Sequence, residues 1–312
     1  MTSHAHFDEL LVGMETPDLQ DSIQVALANM PVFLTDIEAS YLGKPNLSRA
    51  RLKPFTNLLN EISQFRNKAG RRIDLVILPE VSVPHAWEGM LTAWARRQRM
   101  GVICGLEHSL DSKGNAINEV LTILPYKSET GHWASVPVRR LKRFYSPEEK
   151  FILVNEGLKV PATKSPYHLF RWRGASFAVY NCFELSSIQD RSLFKGRVDF
   201  LVATEFNRDI NYFSNIVESA SRDIHCYVVQ VNDSAFGDSR VVSPSKTDLM
   251  NPLRIKGGDN LTFLTMTLNL KSLRTHQRKD YGLQKESNEF KPTPPGYQMD
   301  PIRKKASLGK SK

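Results

Sequence analysis

Three residues with reactive side chains each follow a segment that has the pattern of a buried β-strand. Glu80 follows the run IDLVILP, Lys142 follows VPVRRL, and Cys182 follows SFAVYN. In layered α/β folds, ligands bind at the loops that follow strand ends, so the three side chains could meet in one pocket. A carboxyl, an amine and a thiol in one pocket can act as proton acceptor, cation and nucleophile. Taken singly, each residue also fits an ordinary place in a solvated turn, a charged face or a strand core.

The thiol sets the requirement for the other two groups. A cysteine with its usual pKa of about 8.5 is mostly protonated at neutral pH, whereas the thiolate is the nucleophile. A neighbouring carboxyl must accept the proton, or a neighbouring cation must stabilise the thiolate. Glu80 could do the first and Lys142 the second, and the sequence leaves both possibilities open.

The elements that must position these residues alternate between short apolar runs and amphipathic segments. Residues 50–65 carry apolar side chains at helical spacing and residues 211–224 predict a second helix, whereas residues 23–30, 199–204 and 227–232 are typical of buried strands. Strands separated by helices of this length favour α/β layering, with helices covering the sheet faces. The pattern stops near residue 276, where prolines and polar residues follow. We therefore expect one domain over residues 1–275 and an extended basic tail over residues 276–312.

Composition indicates an ordinary globular protein. The chain has 312 residues, of which 41% are hydrophobic and 24% charged, with a net charge of +9, and this composition excludes disorder of the whole chain. Five basic residues fall in the last ten positions, RKKASLGKSK, so the excess charge is concentrated in the tail.

The same sequence gives no sign of a membrane segment or a metal site. No apolar run approaches the roughly 20 residues that cross a bilayer, and the start, MTSHAHFDEL, lacks the features of a leader, so we expect a cytoplasmic protein without a membrane partner. Three cysteines do not make a disulfide framework, and the histidines lack metal-binding spacing. We expect no metal and no other cofactor.

Four sequence blocks, in their order, resemble the nitrilase, or carbon–nitrogen hydrolase, superfamily. They are DLVILPE ending at Glu80, LKRFYSPEE around Lys142, NCFE with Cys182, and SASRDIHCYVVQVN with the later FGDS. The resemblance covers residues 23–273. It implies a four-layer αββα sandwich, in which two mixed β-sheets pack face to face with helices outside. It also implies a Glu-Lys-Cys triad, with Glu80 as general base, Lys142 as the cationic member and Cys182 as nucleophile.

The resemblance implies supporting residues as well. Glu149, or less favourably Glu148, matches a second glutamate that the family places just after the lysine motif, beside the base. The backbone N–H of Phe183 matches a donor to the negative charge that develops on the substrate during attack. The residues that follow Lys142 and Cys182 differ from the family's usual ones, so we expect substrate loops that differ from those of well-known members.

The resemblance implies a thiol-dependent hydrolase of non-peptide carbon–nitrogen bonds. The expected substrate is a small amide or carbamoyl compound rather than a nitrile, because amidase-type members make up the larger part of the family. Two alternatives remain open: an N-acyltransferase that passes the Cys182 thioester to an amine, and a nitrilase-like module in a nucleic-acid-associated or defence assembly that contacts nucleic acid through its basic tail. Family members associate through their outer helices, so we expect a homodimer or larger homo-oligomer to which the segment after residue 276 contributes.

Overall fold

The structure is a computed structural model that describes residues 6–13, 20–162, 165–258 and 260–306. Its strands, in chain order, are β1 (Phe7–Val12), β2 (Ser22–Asn29), β3 (Leu75–Ile77), β4 (Gly101–Gly105), β5 (Ser109–Leu110), β6 (Ala116–Ile117), β7 (Glu119–Lys127), β8 (Trp133–Leu141), β9 (Tyr167–Trp172), β10 (Ala175–Asn181), β11 (Phe200–Thr204), β12 (Tyr227–Val231), β13 (Ser239–Val242), β14 (Leu253–Ile255) and β15 (Thr262–Asn269). Its α-helices are α1 (Leu34–Tyr41), α2 (Arg49–Gln64), α3 (Glu88–Gln98), α4 (Pro147–Asn155), α5 (Ile188–Ser192), α6 (Ile210–Ile224), α7 (Leu270–Gln277), α8 (Tyr281–Lys285) and α9 (Pro301–Ala306). Short 3₁₀ helices cover His85–Trp87, Cys182–Ser186 and Thr247–Leu249.

The strands form two large mixed sheets. Sheet A has the order β1-β9-β10-β11-β12-β13-β14, and sheet B has the order β15-β2-β3-β4-β7-β8. Strands β10, β11 and β12 run parallel at the centre of sheet A, and β2, β3 and β4 run parallel in sheet B. Because parallel strands end at the same edge, the residues that follow them are brought together there.

Three apolar layers separate the sheets from each other and from the helices. Alternate side chains of both sheets, among them Val25, Ile77 and Val202, form the layer between the sheets. The opposite face of sheet B packs on α2 and α3 through residues such as Leu58 and Leu91, and the opposite face of sheet A packs on α6. The helices therefore lie outside two packed sheets, and the predicted αββα sandwich is confirmed.

The predicted elements around the reactive residues are present. The strand within IDLVILP is shorter than the run, Leu75–Ile77, and a 3₁₀ turn at His85–Trp87 leads into α3. The sequence prediction missed the helix α4 that follows Lys142. It also missed four strands of sheet A, namely β9, β13 and the two edge strands β1 and β14. In the part of the chain that the structure describes, no helix combines the length and apolar character needed to cross a membrane.

The C-terminal segment is not an extended tail, and this prediction is wrong for the described residues up to 306. Phe290 is 1% exposed and joins the layer between the sheets, and Arg303 is fully buried. The Arg303 guanidinium donates from Nε and Nη2 to Asp199 Oδ1 at 3.0 and 2.9 Å and from Nη1 to the Gly196 carbonyl at 2.8 Å. A polar, proline-containing segment is thus held by a few buried anchors.

The packed segment also changes the meaning of the basic tail. Arg303 neutralises a buried aspartate, whereas Lys304 and Lys305 are exposed. The remaining basic positions of the tail, from 307 onward, lie outside the described residues. A nucleic-acid contact through the tail stays a prediction, as does the homo-oligomer.

Candidate active site

Lys142 lies between two carboxyl groups in the interior of the protein. Its Nζ is 2.7 Å from Glu80 Oε1 and 2.6 Å from Glu149 Oε2. The side chains of Lys142 and Glu80 are 2% and 4% exposed, and that of Glu149 is 14% exposed. Glu80 comes from the loop after β3, Lys142 from the end of β8, and Glu149 from the first turn of α4. Residues from three elements therefore make one buried ion-pair cluster.

Asn118 ties this cluster to the strand that carries Cys182. Its Nδ2 donates to Glu149 Oε1 at 2.7 Å and to Glu80 Oε1 at 3.1 Å. Its Oδ1 accepts from Asn181 Nδ2 at 2.9 Å, and Asn181 immediately precedes the cysteine. A single amide thus links both carboxyls to the end of β10.

The sequence SPEE places Glu149 by a local mechanism. Ser146 caps α4: its hydroxyl accepts from the Glu149 N–H at 3.1 Å, and Glu149 Oε2 accepts from the Ser146 N–H at 3.3 Å. This reciprocal capping box is favoured by serine followed three residues later by glutamate. The Glu149 carboxyl therefore serves the helix start and the Lys142 ion pair together, and His108 Nε2 lies 3.1 Å from its Oε1.

Glu148 is exposed on α4 and lies outside the cluster. Of the two candidates for the second glutamate, the structure brings only Glu149 to Lys142. The catalytic and supporting roles of the site residues stay predictions.

Cys182 sits at a sharp turn directly after β10. Its backbone φ is +49°, in the left-handed region that a residue with a Cβ rarely adopts, and it opens the 3₁₀ helix Cys182–Ser186. Non-glycine residues held in this conformation cost of order 1–3 kcal/mol and occur preferentially at functional sites. Phe183, the predicted oxyanion donor, is the second residue of this turn and is half-buried. The backbone N–H groups at the start of a helical turn are the ones without a partner inside the helix.

A buried ion pair holds the turn in place. Arg140 donates to Glu184 Oε1 and Oε2 at 2.6 Å each, and both side chains are almost completely buried. Glu184 Oε2 also accepts from the Asn181 N–H at 2.7 Å, and Glu184 Oε1 accepts from the Arg143 N–H at 2.6 Å. The carboxyl thereby joins the end of β8 to the turn that carries the cysteine.

The electrostatic environment distinguishes the thiol from the amine. Burial and the neighbouring charge of Glu80 raise the pKa of Cys182 well above its usual value, against the opposing effect of Lys142. Burial alone would lower the pKa of Lys142, but the charges of Glu149 and Glu80 raise it well above its usual value. At neutral pH the site therefore holds a protonated thiol beside a permanent ammonium, and attack by sulfur requires a base.

Glu149 behaves as a permanent anion. Burial would raise its pKa, but the Lys142 charge and the His108 hydrogen bond together hold it well below the usual range. Because it stays ionised, Glu149 keeps Lys142 charged and oriented. The sequence alone did not identify His108 or Asn118, since each belongs to a different loop and only the fold brings them to Glu149.

Sequence comparisons find no match, whereas structure comparisons find proteins of similar fold. No protein-family model matches the chain, and no curated protein matches it in sequence. XC1258 from Xanthomonas campestris, a CN-hydrolase superfamily protein with an arsenic adduct in the active site, is similar with a TM-score of 0.57 at 16% identity, over 86% of this chain and 98% of that chain. The chain has the fold of the nitrilase, or CN-hydrolase, superfamily.

Amidases are among the proteins that share this nitrilase fold. An amidase from Nesterenkonia sp. is similar with a TM-score of 0.55 at 14% identity, over 86% of this chain and 97% of that chain. A glutamate-to-glutamine mutant of that amidase, with a TM-score of 0.54 at 13% identity over 85% and 96% of the two chains, shows covalent addition of the acetamide moiety of fluoroacetamide at its active-site cysteine. At these identities the similarity establishes the nitrilase fold of this chain, and its activity is a separate question.

Proposed function

We propose that this protein is a thiol-dependent hydrolase of non-peptide carbon–nitrogen bonds that acts on an amide or carbamoyl compound. The observation that carries the proposal is the buried cluster of Glu80, Lys142 and Glu149 beside the strained turn at Cys182. Burying charged groups is costly unless they are paired, and purely structural positions rarely hold three of them next to a reactive thiol. The active-site cysteine of the similar Nesterenkonia amidase supports the same reaction class.

The first half of the reaction forms a thioester. Because the Cys182 thiol holds its proton at neutral pH, Glu80 acts as general base and accepts that proton as sulfur attacks the carbonyl carbon. Negative charge then develops on the substrate oxygen, where the Lys142 ammonium and the Phe183 N–H act as donors. Glu80 returns its proton to the nitrogen as the carbon–nitrogen bond breaks, and the amine or ammonia leaves.

The second half regenerates the thiol. Glu80 removes a proton from a water molecule, which attacks the thioester carbon, and the carbon–sulfur bond breaks as the thiolate regains that proton. The net reaction converts an amide and water to a carboxylic acid and an amine. Lys142 and Glu149 remain charged throughout, so one carboxyl alternates between base and acid while the other holds the ammonium in position.

The proposal is tested by a substrate screen with matched variants. Purified wild-type protein, Cys182→Ala and the exterior control Lys150→Met are incubated with amides, carbamoyl compounds and nitriles, and release of ammonia or amine is measured. We expect turnover of at least one amide or carbamoyl compound by the wild type and the control, and none by Cys182→Ala with an unchanged circular dichroism spectrum. Turnover that survives in Cys182→Ala would refute the proposal.

The same reactions show whether water or an amine accepts the acyl group from the Cys182 thioester. Hydrolysis gives the free acid, whereas transfer to an added amine gives a new amide. We expect the free acid as the main product in the presence of amines at millimolar concentration. A new amide as the main product would replace hydrolysis by acyl transfer, with the same residues in the first half.

A further inference from the structure

A further buried glutamate lies beside the cluster, and the mechanism makes no use of it. Glu205 follows β11 directly and is fully buried. Its Oε2 accepts a hydrogen bond from Gln230 Nε2 at 2.7 Å. Its Oε1 has no hydrogen-bond partner among the described residues. A buried carboxyl oxygen loses its water of hydration, and without a replacement partner this is costly.

Glu205 stands next to the reacting thiol. The Glu80 N–H donates to the Glu205 backbone carbonyl at 3.3 Å, and the N–H of the next residue, Phe206, donates to the Cys182 thiol. The negative charge of Glu205 also raises the pKa of the Cys182 thiol. Burial, opposed by the Gln230 hydrogen bond and reinforced by the charge of Glu80, raises the pKa of Glu205 to about 8. The Glu205 carboxyl therefore lies close enough to the thiol to affect its charge.

The cations near Glu205 make their ion pairs with other carboxyls, and of the Arg240 nitrogens only Nε has no hydrogen-bond partner among the described residues. Lys142 is paired with Glu80 and Glu149. Arg240, on the neighbouring strand β13, is paired with Asp238 and lies 3.2 Å from Glu218. The Arg240 charge lowers the pKa of Glu205, and the charges of Glu80 and Asp238 raise it. None of the ion pairs among the described residues includes the Glu205 carboxyl.

A second unpartnered acceptor accompanies it. Gln230 Oε1 is buried and also has no hydrogen-bond partner among the described residues. Since Gln230 Nε2 already donates to Glu205, the pair presents two acceptor oxygens, and a negative charge when Glu205 is ionised. Two acceptors with negative charge are complementary to a positively charged hydrogen-bond donor.

We propose that Glu205 and Gln230 form a recognition subsite for a protonated amine, or a comparable N–H cation, carried by the substrate beside its scissile amide. Glu205 is then a specificity-determining residue, and the inference rests on the proposed amide hydrolysis at Cys182. A bound ammonium would supply the missing donor and the missing positive charge, and it would keep Glu205 ionised.

Paired substrates test the subsite in turnover. The ω-amino amides with two to five methylene groups are compared with neutral amides of the same length, such as 3-aminopropanamide with butanamide, in wild type, Glu205→Gln and the exterior control Glu61→Gln. We expect the wild type and the control to favour the cationic member in kcat/KM. In Glu205→Gln that preference should fall by about 10- to 100-fold, mainly through KM, as expected for loss of a charge-assisted hydrogen bond. An unchanged preference in Glu205→Gln, or none in the wild type, overturns the inference.

Thiol labelling tests the subsite without amide turnover. The rates at which 2-aminoethyl methanethiosulfonate and the neutral methyl methanethiosulfonate modify Cys182 are measured by peptide mass spectrometry and divided by their rates with a free thiol. Cys104 and Cys226 are fully buried, and the labelled peptide identifies the site. We expect a normalised ratio of about 10 or more in wild type and near one in Glu205→Gln. A ratio near one in wild type overturns the inference even if the variant does not fold.

The two assays separate the two proposals. Labelling preference without turnover of any amide refutes the proposed hydrolase and retains a cation subsite at Cys182. Amide turnover without a preference for cations in either assay refutes the subsite and retains the hydrolase.

Discussion

Replacing Lys142 by methionine removes the positive charge that lies between the carboxyl groups of Glu80 and Glu149. Nζ lies 2.7 Å from Glu80 and 2.6 Å from Glu149, so both lose their ion pair at once. Breaking a buried pair by removing one partner typically costs about 3–5 kcal/mol, because a charge is left buried without compensation. The methionine retains most of the side-chain volume, so the loss reports charge rather than a cavity.

The pH dependence gives this prediction its sign. In the wild type the pKa of Glu149 is held low, so its ion pair stabilises the fold above a pH of about 4.3, the usual pKa of glutamate, and this contribution is lost as the pH falls below that value. Without Lys142, burial is the dominant influence and raises the pKa of Glu149. The variant then loses stability as the pH rises. The difference in unfolding free energy between wild type and Lys142→Met should therefore be larger at pH 8 than at pH 4.

The assay is urea unfolding of matched variants at pH 4, 6 and 8, with Lys150→Met as the exposed control. The double variant Lys142→Met/Glu149→Gln should recover part of the loss at pH 8, because it removes one of the two uncompensated carboxyls. Hydrolytic turnover should fall by at least about 100-fold in Lys142→Met, as for loss of one oxyanion donor. A stability loss that is equal at pH 4 and pH 8, or no recovery in the double variant, would refute the reasoning.

Three further predictions follow from buried polar groups. Asn118→Asp replaces the donor to Glu80 and Glu149 by a third carboxyl. In urea unfolding we expect the unfolding free energy to fall by about 1–3 kcal/mol at pH 8 and by less at pH 4. Equal losses at the two pH values would contradict this prediction. Arg303→Met removes the hydrogen bonds from Arg303 to Asp199. We expect faster amide hydrogen exchange across residues 276–306 and an unfolding free energy lower by about 3 kcal/mol. Unchanged exchange would contradict the role of Arg303 in holding this segment. Burial raises the pKa of Glu205 to about 8, so between about pH 4.3 and 8 this carboxyl ionises in the unfolded chain but not in the folded one, and the fold loses stability as the pH rises. The unfolding free energy of Glu205→Gln should therefore match that of the wild type at pH 4 and exceed it by up to about 5 kcal/mol at pH 9. No gain at pH 9 in thermal or urea unfolding would refute this prediction.

The sequence was most informative where reactive residues follow strong strand patterns. IDLVILP and SFAVYN are largely apolar runs. The reactive residues that follow them, Glu80 and Cys182, lie at the edge where parallel strands end. The position of Glu149 could also be predicted from the sequence, because the capping box that it forms with Ser146 depends only on neighbouring residues. The layered fold followed from the alternation of such runs with amphipathic segments, and it is confirmed.

The parts that the sequence did not predict depend on contacts between distant residues. Asn118 and His108 occupy loops with no special composition, and they matter only because β4, β7 and β8 bring them to Glu149. Glu205 reads as the polar end of the strand FLVAT, and its buried position depends on packing by β12 and β13. The segment after residue 276 looked extended because it is polar and rich in proline, but the partner of Arg303 is Asp199, more than 100 positions earlier.

The central claim is that Cys182 becomes acylated by an amide substrate, and mass spectrometry of the trapped intermediate tests it most directly. Wild-type protein and Cys182→Ala are mixed with an amide that the wild type turns over, quenched in acid during turnover and digested. We predict a mass increase equal to the acyl group on the wild-type peptide that contains Cys182, and none on the same peptide of Cys182→Ala. An adduct on another residue, or ammonia release by wild type at the same rate as by Cys182→Ala, would contradict it.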